Sequence, residues 1–221
     1  MVRPGALDMD MSEILTLCGG LPPFGEDAIK AEPTLFASSP EFARANGGEI
    51  TRTILEQAGP LVPETGHVVI DTRVHKLRPG WFPASPGWHL DAIERNAEGQ
   101  PDLAAPRVDY HLLSIVDCGT GSTTEFLATG AVPELPASAP EGRSLWDVHD
   151  RRINELDRPA TCSMDSHALY RMHPGAYHRA RPATGSGWRY FFRATVGYPR
   201  PPANEIHQQS NVYVLVGQTG W

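Results

Sequence analysis

Residues 169–193 read LYRMHPGAYHRARPATGSGWRYFFR, and this stretch decides the fold. It joins two segments that are predicted as strands, Ser166–His173 and Trp188–Tyr198, across breaks rich in glycine and proline. His178 lies between them, just after a turn and before a strand, where the rim of a β-barrel would place it. The stretch therefore predicts a sheet protein with a histidine at the end of a strand.

Further strands are predicted on both sides of this stretch, and helices mainly near the start of the chain. Branched residues and closing turns indicate strands at His67–Leu77, Tyr110–Asp117, Thr123–Leu127 and Val212–Val216. Apolar spacing and helix-start signals indicate helices at Met11–Cys18, after Ser39-Pro40, at Ile50–Ala58 and at Trp146–Leu156. This order predicts a mainly β fold, a double-sheet jelly roll or barrel with its helices gathered at the front.

The length of 221 residues fits a single domain over 1–221 that can bury its own core. We expect a helical N-terminal segment over residues 1–60, a jelly-roll core over 66–198 and a C-terminal extension over 199–221. Five Trp, seven Phe and six Tyr favour a packed core over disorder, although glycine and proline number 21 each.

The charge and the cysteines restrict the class of protein. A net charge of −7, with no run of Lys and Arg, argues against a protein that neutralises a nucleic-acid backbone. Three widely spaced cysteines without a CxxC pair favour a reduced, intracellular protein. The start has no apolar signal-peptide core and no apolar run is long enough to cross a bilayer, so we expect a cytoplasmic location.

A candidate metal site is carried by His89-Leu90-Asp91, the one His-x-Asp of the chain. Residues two apart on a strand point to the same side, so these two side chains could bind one ion. The third ligand must come from a distant strand, for which His178 is preferred to His167 and His173. Two imidazoles and one carboxylate with open positions suit Fe(II), Mn(II) or Co(II) and are typical of non-haem Fe(II) oxygenases.

The trio together with Arg189 resembles the pattern of the Fe(II)/2-oxoglutarate-dependent dioxygenase superfamily, nearest to its taurine-dioxygenase-like or phytanoyl-CoA-hydroxylase-like branches. The resemblance runs from about residue 66 to 198 and is one of pattern. It implies a double-stranded β-helix, of the jelly-roll or cupin type, with the N-terminal helices packed outside. It also implies Fe(II), held by His89, Asp91 and His178, with 2-oxoglutarate as co-substrate and dioxygen as oxidant.

Two arginines compete for the distal carboxylate of 2-oxoglutarate. A buried carboxylate must be paired, and a guanidinium binds it through two parallel hydrogen bonds. The resemblance favours Arg189 for this role, with Arg193 facing the substrate. The Arg193-Ala-Thr195 sequence resembles other branches in which the two roles are exchanged. Thr124, in the sequence Gly121-Ser-Thr-Thr-Glu-Phe126, is implied as a second ligand of the same carboxylate.

Aromatic residues near the first ligand are candidate walls of a substrate pocket. Trp81, Phe82 and Trp88 lie in the stiff, proline-rich loop that leads into His89, and Tyr110 lies on a predicted strand. Packing in the core would explain the same residues equally well.

The predicted activity is hydroxylation, or oxidative demethylation, of a small-molecule substrate with release of succinate and CO2. One alternative is a cupin-type metal enzyme, an isomerase or a 2-oxoglutarate-independent dioxygenase, that uses the same three ligands. A second is an oxygenase acting on a nucleobase or a protein side chain, which the acidic charge disfavours. A third is a binding module without catalysis.

Overall fold

The computed structural model describes residues 11–63, 67–128, 132–208 and 210–215. The helices are α1 Met11–Ile14, α2 Glu26–Lys30, α3 Pro40–Asn46, α4 Glu49–Ala58 and α5 Leu145–Asn154. The strands are β1 Leu15–Gly20, β2 Thr34–Phe36, β3 Val68–Leu77, β4 Tyr110–Cys118, β5 Thr124–Leu127, β6 Thr161–Ser163, β7 Ala168–Met172, β8 His178–Ala180, β9 Gly187–Val196 and β10 Glu205–His207.

The largest sheet has five antiparallel strands in the order β1-β7-β4-β9-β3. Strand β9 lies inside this sheet and pairs with β3 from Val68↔Val196 to Leu77↔Gly187. A smaller antiparallel sheet has the order β6-β5-β8 and is extended by an isolated bridge between His89 and His178. Strands β2 and β10 form a separate antiparallel pair.

The two main sheets pack against each other, and the chain passes repeatedly between them. Phe126 of the smaller sheet is buried with Leu113 and Ile115 of the larger one. From β3 in the large sheet the chain passes to the His89 bridge at the small sheet and returns to the large sheet with β4. Strands β5 and β6 then lie in the small sheet. Strands β7, β8 and β9 follow in the large, the small and again the large sheet. The prediction of a mainly β fold is confirmed; the sheets are antiparallel, and the alternation of the chain between them is jelly-roll-like.

Strand β9 separates the helical layer from the space between the sheets, because its successive side chains point to opposite faces. Tyr190 and Phe192 lie on the outer face and are buried with Ile50 and Ile54 of α4. Arg189 and the other odd-numbered residues of the strand point to the inner face. The N-terminal helices therefore cover the outside of the large sheet and leave its inner face to the site.

Helix α4 forms because its apolar residues recur at helical spacing and face the sheet. Its start is fixed by the buried carboxylate of Glu32, which accepts hydrogen bonds from the backbone amides of Gly48, Ile50 and Thr51 at 3.0, 2.6 and 3.2 Å. The hydroxyl of Thr51 donates to the same carboxylate at 2.5 Å. A negative charge at a helix N-terminus is favourable.

The long strands and the helix starts agree with the sequence predictions. Strands β3, β4, β5, β7 and β9 lie within two residues of their predicted bounds, and α5 within two of the predicted helix. Ser39 caps α3 as predicted, since its hydroxyl accepts from the amide of Phe42 at 3.1 Å, with a proline at the first helical position.

Two predicted elements were wrong. Met11–Cys18 was predicted as helix, but the helix ends at Ile14 and β1 follows, because the backbone from Leu15 pairs with the edge of β7. Val212–Val216 was predicted as a strand, but of residues 212–215 only Tyr213 forms a bridge, with Phe82. Val216 lies outside the described residues.

Among the helices of the described residues, none has the length and apolar character needed to cross a membrane.

Candidate metal centre

The His89–His178 bridge brings the two predicted histidines side by side. The amide of His89 donates to the carbonyl of His178 at 3.1 Å, and the reverse bond is also 3.1 Å. Asp91 lies two residues after His89 and shares its side of the chain, as the spacing predicts. Trp88 and Leu90 point the other way and are buried in an apolar cluster that includes Ile153 of α5.

The three side chains converge on one point between the sheets. The carboxylate of Asp91 lies 3.3 Å from Nε2 of His178 and 3.8 Å from Nε2 of His89. One ligand atom from each of the three residues lies within 4.8 Å of the other two. Among the described residues, this is the one group of three or more His, Cys, Asp or Glu side chains close enough to bind a common ion.

The backbone presents both imidazoles in the form that binds a metal. Nδ1 of His89 lies 2.7 Å from the carbonyl of Gly87, and Nδ1 of His178 lies 3.0 Å from the carbonyl of Ala176. A carbonyl can only accept, so both Nδ1 atoms carry a proton, and in the neutral rings both Nε2 atoms offer a lone pair. Such outer hydrogen bonds usually orient histidine ligands. The residues present therefore fit a divalent ion that prefers nitrogen and oxygen ligands.

The electrostatics keep Asp91 ionised. Burial opposes its charge, but the Arg193 guanidinium and the two imidazoles outweigh burial and hold the pKa of Asp91 well below its usual value. Burial and the neighbouring His178 lower the pKa of His89. For His178 burial is outweighed by Asp91, which raises its pKa, so a metal would compete with a proton at this nitrogen.

Arg193 connects the trio to a second aspartate that the sequence analysis did not identify. Its guanidinium lies 2.6 Å from Asp91 Oδ2 and 2.6 Å from Asp71 Oδ2. Asp71 is the cross-strand neighbour of Arg193, and its other oxygen accepts from the amide of Ala37 at 3.0 Å. Both ends of this guanidinium are thus already paired with carboxylates.

Arg189 has a different environment, although it shares the inner face of β9. It is only 3% exposed, and no ion pair of the described residues includes it. Its Nε donates a long hydrogen bond of 3.3 Å to the carbonyl of Ser122. The opposite carboxylate, Asp117, accepts instead from Thr120 and Gly121. Burial is the main cause that lowers the pKa of Arg189 to about 10; Arg73 lowers it too, and Asp117 across the strand pair offsets them only in part.

The other predicted residues divide into those near the trio and those away from it. Thr124 is buried and shares the inner face of β5 with Phe126, whose ring lies tilted against that of His178 with the centroids 5.8 Å apart. Tyr110 lies on the outer face of β4, packs against the helical layer and donates to the carbonyl of Leu61, so the structure does not bring it to the site. Trp88 packs away from the trio, as described above.

The two remaining aromatic candidates lie in the loop before His89. Phe82 is buried and pairs through its backbone with Tyr213, with both bonds at 2.9 Å. Trp81 is half-buried, and the guanidinium of Arg78 lies 5.7 Å from its ring centroid. The backbone bridge between Phe82 and Tyr213 joins this loop to the C-terminal segment.

The rival histidines lie outside the trio. His167 follows the β6–β7 turn with a φ of 60° and bonds with Ser166, whereas Nδ1 of His173 accepts from the amide of Gly175 at 3.0 Å. Asp71 and His75 face the site from β3, and the sequence analysis did not connect either of them with it. Their signal was their spacing of four, which puts both on the inner face of β3.

A small cavity of about 100 Å³ adjoins the trio through Ala92 and Arg193. Asp71 and Thr195 also line it, and Phe36 and Tyr198 add aromatic side chains to its lining. A larger cavity of about 260 Å³ lies at Glu13, Tyr110 and Arg171 and contains none of the three ligands.

No protein-family model and no curated protein sequence matches the chain. Solved structures resemble it at low identity. HygX from Streptomyces hygroscopicus with iron bound is 13% identical over 81% of this chain and 82% of its own, with a TM-score of 0.38. HygX with nickel and 2-oxoglutarate bound is 16% identical over 83% and 84%, with a TM-score of 0.37. ThoJ, a non-heme monooxygenase in its apo form, is 11% identical over 84% and 85%, with a TM-score of 0.34. At these TM-scores the likeness is too distant to establish a shared fold or function.

Proposed function

We propose that the chain is an Fe(II)- and 2-oxoglutarate-dependent oxygenase built on a double-stranded β-helix, with a small molecule as substrate. The observation that carries the proposal is the convergence of His89, Asp91 and His178 within 4.8 Å, with both Nε2 atoms presented as ligands. This ligand set leaves open positions on a six-coordinate ion, which is what an oxygenase needs.

The three ligands would hold Fe(II), and Arg193 would keep Asp91 ionised and oriented. Bound Fe(II), with 2-oxoglutarate and dioxygen, supplies the oxidising chemistry that no side chain can supply. The protein contributes a buried site, fixed ligands and orientation of the reactants. Hydroxylation, with release of succinate and CO2, is the proposed outcome, and demethylation would follow from hydroxylation of a methyl group on a heteroatom.

Arg189 is proposed as the partner of the distal carboxylate of 2-oxoglutarate, with Thr124 as an additional hydrogen-bond donor. A buried guanidinium that lacks an anion is costly unless a ligand supplies one. Arg193 is less suited to this role, because Asp71 and Asp91 already bind both of its ends. The small cavity beside Ala92 is proposed as the entrance for the substrate, since it adjoins the metal ligands and has aromatic walls.

An anaerobic titration tests the proposal. Fe(II) and 2-oxoglutarate are added to the full chain and the weak visible charge-transfer band of chelated 2-oxoglutarate is recorded. We expect a band for the wild type and for His173→Ala, a matched control on a histidine outside the trio, and no band for His178→Ala. A wild type without a band, or a band that survives in His178→Ala, would contradict the proposal.

The titration also distinguishes the cupin-type alternative. In that case Fe(II) would bind at the same trio, but 2-oxoglutarate would produce no band, and Arg189 would bind the acid group of the substrate itself. Succinate formed from 2-oxoglutarate under air would exclude this alternative.

A further inference from the structure

His75 lies beside Arg189 on the inner face of the large sheet. The two residues are direct cross-strand partners in the β3–β9 pair, so their Cβ atoms lie about 5 Å apart. His75 is only 2% exposed. The sequence gives no reason to connect it with a metal centre, because it lies fourteen residues before His89 in a different strand.

The hydrogen bond at Nε2 fixes the tautomer of His75. This nitrogen lies 3.0 Å from the backbone carbonyl of Asn211, which can only accept, so Nε2 carries the proton. Nδ1 is then an acceptor, and it is buried without a hydrogen-bond partner. Buried acceptors in proteins are normally paired, and Nδ1 lies beside the guanidinium of Arg189, which has several N–H donors. This arrangement indicates a hydrogen bond between the two side chains that forms when a ligand is bound.

Burial, together with the surrounding charges, keeps His75 neutral. Burial is the main cause that lowers its pKa to about 3, and Arg189 and Arg73 lower it further. The nearest acid on the facing strands is Asp117, whose carboxylate accepts from Thr120 and Gly121. Nδ1 is therefore a neutral acceptor, which can orient Arg189 without cancelling its charge. An aspartate or glutamate at this position would instead compete with an incoming carboxylate.

We propose that His75 is a positioning residue for Arg189: Nδ1 of His75 accepts a hydrogen bond from the guanidinium and fixes its plane against the distal carboxylate of a bound dicarboxylate co-substrate. The inference rests on the proposed function of the site. Recognition of a carboxylate through two parallel bonds depends on the orientation of the guanidinium plane, which the long bond to Ser122 does not fix by itself.

The C-terminal segment 210–215 takes part in this arrangement. The carbonyl of Asn211 selects the tautomer of His75, and the backbone pairing of Tyr213 with Phe82 holds the segment in place. Ser210 adds a hydroxyl contact with Thr34 of β2 at 3.0 Å.

Two substitutions separate positioning from simple packing. The side-chain oxygen of Asn can take the place of Nδ1, whereas the longer Gln side chain can donate at the place of Nε2 and keep the bond to Asn211. We therefore expect His75→Asn to retain the orientation of Arg189 and His75→Gln to lose it. If His75 only held the C-terminal segment in place, His75→Gln would behave as the wild type does and His75→Asn would not.

The measurement is the dissociation constant of two oxo acids for the full chain with Fe(II), without oxygen. 2-Oxoglutarate uses both the metal and Arg189, and pyruvate lacks the distal carboxylate. We expect His75→Gln to weaken 2-oxoglutarate about tenfold, the effect of one lost hydrogen bond to a charged group, and to leave pyruvate unchanged. His75→Asn should bind both acids as the wild type does.

The opposite results overturn the proposal. One is a His75→Gln protein that binds 2-oxoglutarate as tightly as the wild type. Another is a His75→Asn protein that binds it as weakly as His75→Gln does. The third is a His75→Gln protein whose affinity for pyruvate falls as much as its affinity for 2-oxoglutarate. A wild type that binds pyruvate and 2-oxoglutarate equally would overturn the positioning role and leave the metal centre intact. A wild type that binds neither acid would overturn the proposed function as well.

A measurement on the wild type alone covers the case in which the substitutions disturb folding. A neutral His75 predicts that the ratio of the two dissociation constants stays constant from about pH 5.5 to 8, the range in which an ordinary histidine titrates. A preference for 2-oxoglutarate that increases as the pH falls would indicate an imidazolium and would contradict the proposal.

Discussion

Asp71 is a residue outside the proposed ligand set that is connected to it through Arg193. It binds one end of the Arg193 guanidinium while Asp91 binds the other, each at 2.6 Å. The guanidinium therefore has a fixed position from which it orients Asp91. This network lies on the inner faces of β3 and β9, where cross-strand pairing makes Asp71 and Arg193 neighbours.

Removing the charge of Asp71 should weaken metal binding without removing a ligand. In Asp71→Asn the guanidinium of Arg193 loses one anchor and binds Asp91 more strongly, in competition with the metal. We expect the affinity for Fe(II) to fall roughly 10- to 100-fold, the usual effect of changing an outer partner of a ligand. Competition with a chelator under anaerobic conditions measures this.

Asp165→Asn provides the control, because Asp165 bonds with the Tyr170 hydroxyl outside the trio. It should leave the metal affinity unchanged. An Asp71→Asn protein with wild-type affinity would show that Arg193 does not transmit an effect to Asp91.

His111 predicts a specific pH dependence of stability. It is completely buried on β4, and burial lowers its pKa to about 3. In the unfolded chain its pKa returns to about 6.5, so between these two values the unfolded state binds the additional proton. Stability is thus fully present above about pH 6.5 and is lost as the pH falls, by about 1.4 kcal/mol per pH unit for this one group.

Urea unfolding at several pH values between about 7 and 4.5 measures this slope. His111→Gln should have a shallower slope than the wild type, and His67→Gln, at an exposed position, should not differ from it. Equal slopes for the wild type and His111→Gln would show that His111 is not held neutral.

At the scale of elements, the start of α4 depends on a carboxylate that lies seventeen residues earlier. Glu32 accepts four hydrogen bonds at this helix start, and Thr51 connects the helix further to the Tyr190 hydroxyl of β9 at 2.8 Å. This carboxylate therefore couples the helical layer to the outer face of the large sheet.

Replacing Glu32 should destabilise the whole fold. Glu32→Ala leaves buried donors without partners, and we expect a loss of about 2–4 kcal/mol in the free energy of unfolding. Glu56→Ala, at an exposed position on the same helix, is the matched control and should be nearly neutral. An unchanged urea midpoint for Glu32→Ala would contradict this role.

The elements also show where prediction from the sequence succeeds and where it fails. Long strands such as β3 and β9 have enough residues to reveal their pattern. The three-residue strands β2, β6, β8 and β10 do not, because a period cannot be recognised in three residues and partners distant in the chain define such strands. The sequence predicts helix where β1 lies, since its leucines suit either structure and pairing with the edge of β7 determines that the segment is a strand.

Some residues of the candidate site could likewise be predicted from the sequence, and others could not. The sequence predicted His89, Asp91 and His178 as one group, and the structure brings the three together. A His-x-Asp pair is itself a geometric pattern, and His178 was preferred because it lies between a turn and a strand. The sequence did not identify Asp71 or His75, because their role depends on which strand lies opposite β3. The sequence predicts Trp88 as part of the pocket wall because it is next to His89. Neighbouring side chains on an extended chain point to opposite sides, however, so Trp88 points away from the site.

For the whole molecule, the three proposed ligands lie on the small sheet and its extension at His89, and Arg193 links Asp91 to the large sheet. An ion that binds only this folded arrangement should stabilise the fold. An ion that binds only the folded state at a hundred times its dissociation constant adds about 2.7 kcal/mol. For a chain of this length that corresponds to an increase of about 5–10 °C in the melting temperature.

Thermal unfolding with and without Mn(II), a redox-stable substitute for Fe(II), measures this increase. The wild type should gain stability, and Asp91→Ala should not respond. A metal-dependent increase of the same size in Asp91→Ala would place the ion elsewhere on the protein.

The most direct test of the central claim is anomalous diffraction at the iron absorption edge, from crystals grown without oxygen in Fe(II) and 2-oxoglutarate. The account predicts one strong peak at bonding distance, about 2.0–2.2 Å, from Nε2 of His89, Nε2 of His178 and a carboxylate oxygen of Asp91, with the distal carboxylate of 2-oxoglutarate on Arg189. A peak bound by other residues, or the absence of any peak between the two sheets, would contradict it.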